Sequence, residues 1–559
     1  MSEFDAIVVG SGVSGGWAAK ELTEQGLKVL VLERGCSVAH GKDYVTEHTP
    51  VWQLPFSGLP NRQEDARDYE IQRQTYAFNE SNKHFWNNDR LNPYVINSEA
   101  EFSWRRAGVV GGRSLLWNRQ VYRWSELDFQ ANKRDGYGIP WPVGYADIEP
   151  WYRHVEDFIG VSGQAENLAH LPDGQFLPPM NMYGVEKTIK HRLAKKLPEL
   201  TMTIGRTATL TQAHNGRAAC HYCGPCDRGC STGSYFSSQS CTLPAAENTG
   251  NLTLLSNHIV VRLLHDDTGK KVSAVEAINE KDGTRVRFSS KLVFLCASTL
   301  GSTHILLNSQ SKQHPNGLAN GSGALGRYLM DHPRYSHTGV MIDNTDEFYV
   351  GNRPNGCYIP RFRNLSHDEG QTYLRGYGYQ ANVVRTDWQM TFNQKGFGKK
   401  YKESLRKPGP FWVWVLSGFH ECLPYHSNRV SLHPTRKDRF GTPLLNTHFN
   451  WGDNEFNMAA DSAEFAAKIF RAAGALHYEI EDISTMSIGG GAIHEMGTAR
   501  MGDDPNTSVL NKFNQCHELE NLFVTDGAFM SSSSCVNPSL TYMAFTARAC
   551  HYAVETLKV

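Results

Sequence analysis

The sequence predicts an α/β protein in which a dinucleotide-binding domain on parallel strands is interleaved with a second domain on a large antiparallel sheet. Three observations carry that prediction. A glycine-rich turn stands between two short apolar runs in "DAIVVGSGVSGGWAAKELTEQGLKVLVLERG", residues 5–35. A strand, small-residue turn and helix pattern returns far downstream in "SKLVFLCASTLGSTHILLNS", residues 290–309. Residues 335–480 then change character, and "FWVWVLSGFHECLPYHSNRVSLHP" and "PLLNTHFNW" read as strands of a large antiparallel sheet.

Taken in order, residues 5–33 form strand, glycine turn, helix and strand within about thirty residues, a βαβ unit. Gly10, Gly12 and Gly15 supply the G-x-G-x-x-G spacing. The first permits the tight turn, the second lets the backbone approach a pyrophosphate, and the third lets helix and strand pack closely. Glu33 ends the second strand, where a carboxylate accepts hydrogen bonds from a ribose. A dinucleotide is expected here, and the motif alone does not separate NAD from FAD. Residues 40–100 are polar and irregular. A second glycine turn, at Gly111 and Gly112, opens "GVVGGRSLLWNRQVYRW", and residues 141–163 read as a turn and a helix. Alternating strands follow in "NLTLLSNHIVVRLLHD", which contains Val261, and in "VSAVEAIN".

Composition narrows the class. The 559 residues carry 56 basic against 57 acidic side chains, a net charge of −1, which leaves no footprint for nucleic acid or an anionic membrane. The longest apolar runs, such as "LVFLCA", are strand-sized and far below the ~18–20 residues of a membrane span. The first strand begins at Phe4, which leaves no room for a signal peptide on this chain. Synthesis in the cytoplasm is expected, unless a partner carries the chain elsewhere.

Of twelve cysteines, Cys296 sits in an apolar strand and seven others are scattered. Cys220, Cys223, Cys226 and Cys230 form one group, in "AACHYCGPCDRGCSTGSYFSSQSC". Their C-x2-C-x2-C-x3-C order is that of bacterial ferredoxins, where thiolates hold the iron of a [4Fe–4S] cluster. In two-cluster ferredoxins the fourth cysteine serves the other cluster, so the spacing leaves [3Fe–4S] open beside the favoured [4Fe–4S]. Zinc and disulfides remain alternatives. Zinc sites usually spread two pairs over a longer stretch, and a chain folded among reducing thiols does not favour disulfides.

The tail "AIHEMGTARMGDDPNTSVLN", with "ELENLFVTDGAFMSSSSCVNPSLTYMAFTARACHYA", closely resembles the C-terminal signature of the glucose-methanol-choline (GMC) family of FAD-dependent oxidoreductases. The N-terminal unit, "VGGRSLLW", "LVFLCASTLGSTHILLNS" and "LGRYLMDHP" resemble the same family, in its order. The resemblance implies FAD rather than NAD, and oxidation of an alcohol. It also implies a Rossmann-type FAD-binding domain assembled from 1–165, 205–330 and 483–559 around a substrate domain at 331–482.

By the family's motif, His494 takes the place of the catalytic base and Asn537 that of its partner. The chemistry requires these types. A carbinol C–H is readily oxidised only as its hydroxyl loses a proton, and an imidazole accepts one near neutral pH. Asn537 can hydrogen-bond the same hydroxyl without competing for its proton. Asp526 and Gly527 match the family's contact to the ribityl and pyrophosphate region of the flavin. Gly111, Gly112 and Val261 complete the expected FAD contacts.

Pyranose 2-oxidases, which share the GMC plan, link a histidine covalently to the flavin just before the tryptophan of the second glycine segment. Leu116 occupies that place here, so FAD is expected to be held non-covalently. The cysteine group is foreign to the family's oxidases. A one-electron cluster serves as an exit wire, so the chain looks like a GMC dehydrogenase working with a small (gamma-type) subunit and cytochrome c. In such complexes the small subunit can carry the export signal, which favours a periplasmic site, with the cytoplasm as the alternative. The whole chain looks most like glucoside 3-dehydrogenase catalytic subunits, which oxidise the C3 hydroxyl of glucose and glucosides. Oxidation at C1 or C2, a pyranose oxidase using oxygen, and a non-catalytic redox sensor are the alternatives. Trp388, Trp412, Trp414, His420 and Glu421 are candidates to line a sugar pocket.

Overall fold

A computed structural model describes residues 3–342, 352–366, 370–385, 396–406, 411–484 and 487–558. Its two principal sheets use eleven strands. In chain order these are β1 (Phe4–Val9), β2 (Val29–Leu32), β3 (Thr203–Ile204), β4 (Leu252–Leu255), β5 (Ser290–Leu295) and β6 (Arg334–Ile342). After them come β7 (Cys357–Ile359), β8 (Tyr377–Arg385), β9 (Phe411–His420), β10 (His477–Glu479) and β11 (Leu522–Val524).

The first sheet has the order β11-β5-β1-β2-β4, and every pair in it is parallel. Strands buried on both faces need uninterrupted apolar side chains, which is why "VLVL" and "LVFL" flank β1. From β1 the chain winds outward through β2 to β4, then returns to β5 on the other side of β1. The order therefore reverses between β1 and β5, and a crevice opens beyond their carboxyl ends, the usual place for a dinucleotide. Helix α1 (Val13–Glu24) follows β1 and packs on this sheet, and α2 (Thr299–Asn308) follows β5.

Sterics dictate the glycines of the first turn. Gly10 has φ +95°, and a Cβ there would stand 2.5 Å from the Cys296 carbonyl oxygen. A Cβ on Gly15 would meet the Gly10 carbonyl oxygen at 1.9 Å, so α1 reaches β1 only through glycine. A Cβ on Gly12 would meet nothing within 4 Å, because that backbone faces open space.

The second sheet has the order β10-β6-β9-β8-β7-β3, all antiparallel. Helix α3 (Asp453–Ala473) covers one face, burying Met458, Phe465, Ile469 and Phe470 against Trp412, Trp414 and Leu416. The opposite face, carrying Gln380, Asn382, Val415, Ser417 and Phe419, lines a cavity shared with the first sheet's crevice. The C-terminal helix α4 (Ser539–Leu557) packs against α1 and starts at the edge of that cavity. Among the described residues no helix is long and apolar enough to cross a membrane.

Candidate active site

The shared cavity has a volume of about 600 Å³ and runs from the first glycine turn to the second sheet. That size lies within the range of cofactor and ligand sites. Gly10, Gly12, Glu33, Gly112, Val261, Asp526 and Gly527 line it, as do His494 and Asn537. Gly15 and Gly111 do not. Gly15 is spent on helix–strand packing, and Gly111 donates its N–H to Ser11 Oγ at 2.8 Å, tying the two glycine turns together.

The Glu33 carboxylate is fixed from behind. It accepts the Ser11 N–H at 2.9 Å, the Ser11 hydroxyl at 2.6 Å and the Gly35 N–H at 2.7 Å. Asp526 caps its own turn, accepting the Ala528 N–H at 3.0 Å and the Ser302 hydroxyl, and burial pushes its carboxyl up to about 6. Gly527 has no room for a side chain, since a Cβ would stand 2.4 Å from both the Glu495 carbonyl oxygen and Thr299 Oγ1. The open space at Gly12 and the oriented Glu33 suit a dinucleotide. Leu116 is aliphatic, nearly buried and part of the same lining.

His494 sits where the crevice meets the second sheet. The carboxylate of Asp331 accepts its backbone N–H at 3.0 Å and that of Ala492 at 3.2 Å, holding a loop in which Ile493 has φ +65°. Arg113 grips the neighbouring Glu495 with two hydrogen bonds, at 3.0 and 2.8 Å. His494 Nε2 lies 3.1 Å from Asn537 Nδ2, and Asn537 Oδ1 accepts from Gln380 Nε2 at 2.6 Å. The other ring nitrogen, Nδ1, lies 2.9 Å from Nδ1 of His332. Burial, then the neighbouring His332, Arg113 and Arg334, hold the imidazole of His494 well below the usual histidine value. It is therefore neutral at neutral pH, with a lone pair free to take a proton.

Sequence reasoning missed Asp331, His332, Gln380, Ser417 and Phe419. The first two stood in view in "LGRYLMDHP", without a role. Three sugar-pocket candidates fall on the wrong face. Trp412 and Trp414 alternate with the cavity-facing residues of β9 and are buried under α3, and His420 is bonded through Nδ1 to the Pro333 carbonyl at 2.9 Å. Glu421 is buried against Arg361 at 2.6 Å, where burial lifts its carboxyl to about 7. Trp388 lies outside the described residues. The cavity instead presents Arg334, its guanidinium 4.8 Å from the ring centre of Tyr76.

The four cysteines surround a second, much smaller cavity of about 20 Å³, together with His221, Tyr235 and Asn352. All four are free thiols, not disulfides. Among the described residues no three His, Cys, Asp or Glu side chains converge on one point so as to hold a single metal ion. Burial raises the Cys220 thiol to about 11 and those of Cys223 and Cys226 above the ordinary value. Arg119 joins the two cavities. It lines the large one, donates to the Cys226 carbonyl at 3.3 Å, and lies over Tyr235 with 4.8 Å to the ring centre.

Comparison with known proteins agrees with this architecture. The chain is 27% identical to 2-methyl-1,2-propanediol dehydrogenase of Mycolicibacterium austroafricanum, over 98% of this chain and 94% of the relative. It is 25% identical to the fructose dehydrogenase large subunit of Gluconobacter japonicus, over 99% and 98% of the two chains. To the gluconate 2-dehydrogenase flavoprotein of Pantoea cypripedii it is 24% identical, over 98% and 92%. Among solved structures, pyridoxine 4-oxidase from Mesorbium loti superposes with a TM-score of 0.59 at 15% identity, covering 99% of each chain, a likeness of fold. Residues 4–334 and 424–546 match the N- and C-terminal models of GMC oxidoreductase, so the chain belongs to the GMC oxidoreductase family, which implies FAD and oxidation of CH–OH donors.

Proposed function

We propose that this chain is an FAD-dependent sugar dehydrogenase that oxidises a secondary hydroxyl, at C3 of glucose or a glucoside, to a keto sugar. The observation that carries the reading is the His494–Asn537 pair, 3.1 Å apart, where the dinucleotide crevice opens onto the face of the second sheet that carries Gln380, Asn382 and Ser417. In this reading residues 1–165, 205–330 and 483–559 hold FAD and residues 331–482 face the sugar. FAD, when bound, supplies the two-electron acceptor. Gly10, Gly12, Glu33, Gly112, Val261, Asp526 and Gly527 would hold it, with Gly15 and Gly111 shaping the turns behind them. His494 Nε2 takes the proton of the reacting hydroxyl, and Asn537, fixed by Gln380, orients that hydroxyl.

In the same proposal Cys220, Cys223, Cys226 and Cys230 would hold an iron–sulfur cluster, [4Fe–4S] favoured, which would supply one-electron transfer to an external acceptor. The thiols fit it in kind and number, and they surround one cavity. That cavity holds about one water, so the thiols must part to admit a cluster. The relative named as a large subunit supports a smaller partner subunit, and cytochrome c as acceptor and periplasmic residence by co-export complete the proposal. Beside the cysteines, a segment tied down by bonds from Arg228 to the Thr46 and Thr49 carbonyls exposes Val45, Trp52, Phe56 and Leu59, an apolar flank suited to a protein partner.

The test is anaerobic mixing of the FAD-loaded chain with glucose, followed by product NMR. Bleaching of the flavin with the new carbonyl at C3 is expected. A carbonyl at C1 or C2 would move the reading to the alternative positions, and the absence of bleaching would sink it as a sugar dehydrogenase. Acid precipitation offers a second check. Because Leu116 cannot form a histidyl bond, all FAD is expected in the supernatant, and flavin left on the pelleted chain would contradict non-covalent binding.

A further inference from the structure

We propose that His332 is a positioning residue, whose Nδ1 accepts the Nδ1–H of His494 and so fixes the tautomer in which Nε2 is free to take the substrate proton. This rests on the assignment of His494 as the base. The two Nδ1 atoms are 2.9 Å apart, with ring planes at 78°, and His332 is 1% exposed. Two nitrogens at that distance must share one hydrogen, one donating and the other accepting.

The neighbours decide the direction. Asn537 Oδ1 is occupied by the Gln380 amide at 2.6 Å, so Asn537 turns its NH₂ to His494 Nε2. Nε2 then carries the lone pair, and the single hydrogen of a neutral imidazole sits on Nδ1. His332 Nδ1 must be the acceptor, which leaves its own hydrogen on Nε2. The Ser534 backbone favours a proton on His332, and Nε2 is buried without a hydrogen-bond partner among the described residues. Donors and acceptors thus follow one another from Gln380 through Asn537 and His494 to His332.

A neutral acceptor is a particular choice. A carboxylate in this place would hold the imidazolium and raise the pKa of the base. His332 is kept uncharged by burial, which lowers it to about 3, so it orients His494 without adding charge. The surrounding groups work in the same direction. Arg113 and Arg334 face His494 as cations, His420 stands behind His332, and the buried carboxyls Asp331 and Glu495 are engaged with backbone N–H groups and with Arg113. Asp331 and His332 are adjacent, so one dipeptide holds both the backbone and the ring of His494. In the proton transfer itself the substrate O–H bond breaks, an N–H bond forms on Nε2, and the imidazolium keeps its Nδ1–H on His332.

Three substitutions in the FAD-loaded chain test this, with glucose as the probe in anaerobic stopped flow. His332→Leu removes the acceptor while keeping an apolar filling, and is expected to slow flavin bleaching by about 10–10²-fold, the usual cost of losing a partner that orients an imidazole. His332→Asn places an amide oxygen near the position of Nδ1 and should recover most of that loss. His332→Asp should move the acid limb of the pH–rate profile upward by about one unit or more. Equal slowing by Leu and Asn at full flavin content would reduce His332 to packing, and an unslowed Leu variant or an unmoved acid limb in Asp would also overturn the proposal. In a His494→Gln background, His332→Leu should cost nothing further. If His494→Gln alone leaves bleaching unchanged, the assignment of the base has failed instead. Should glucose not bleach the wild type, the pH titration of the flavin absorbance without substrate still compares wild type with His332→Asp, and superimposable titrations would overturn the proposal.

Discussion

Replacing His494 by Ala is expected to slow flavin reduction by a sugar about 10²–10⁴-fold, the usual value of a positioned general base, while FAD stays bound. The separation follows from the geometry. The dinucleotide end of the cavity is built by Gly10, Gly12 and Glu33, and Asp526 is secured by Ser302 and Ala528, none of them through the imidazole. Removing the ring takes away the proton acceptor and leaves Asn537 Nδ2 without its partner. The pH dependence carries the same signature. Because burial and the cations hold His494 below the usual histidine value of ~6.5, the wild-type rate should persist as pH falls through that range and decline only at more acid pH. Stopped-flow absorbance of the flavin measures both effects. A variant within a few-fold of wild type, at equal flavin content, would place the base elsewhere.

Legibility of the sequence depended on whether a backbone or a packing argument was involved. Gly10 and Gly15 were readable because each stands where a Cβ collides with main chain, and no other residue fits. The pair His494 and Asn537 was readable because their segments resemble a family signature, and the fold brings them together across 43 residues. The cavity-facing side of β9 was not. Its run "FWVWVLSGFH" is apolar on both faces, since α3 covers one and the cavity adjoins the other. Alternation therefore gave two faces without saying which held Trp414 and which Ser417. His332 escaped for another reason. Its partner lies 162 residues away, and only tertiary folding sets the two imidazoles side by side. The cysteine spacing was plain to read, but spacing says nothing about how far thiols converge before a metal arrives.

That last distinction sets up the most informative substitution. Cys223→Ser exchanges a soft thiolate for a hard, mostly protonated hydroxyl, which is expected to abolish or convert a cluster. The residue is the exposed member of the four, on a turn shaped by Gly224 at φ +100°, so the change removes little packing. Sugar should still bleach the flavin, because His494, Asn537 and the dinucleotide cavity do not touch Cys223. Onward reduction of cytochrome c should collapse, since Arg119 and Tyr235 join the two cavities physically but carry no redox centre. Following flavin bleaching and cytochrome reduction separately in one stopped-flow series resolves the cases. If both rates survive, the cysteines are structural and the exit-wire reading is wrong. If both fail with loss of folded protein, the group is a staple for the loop at 220–230, and the reading loses its main support. A fast first step with a stalled second is the outcome that a wire on these four thiols requires.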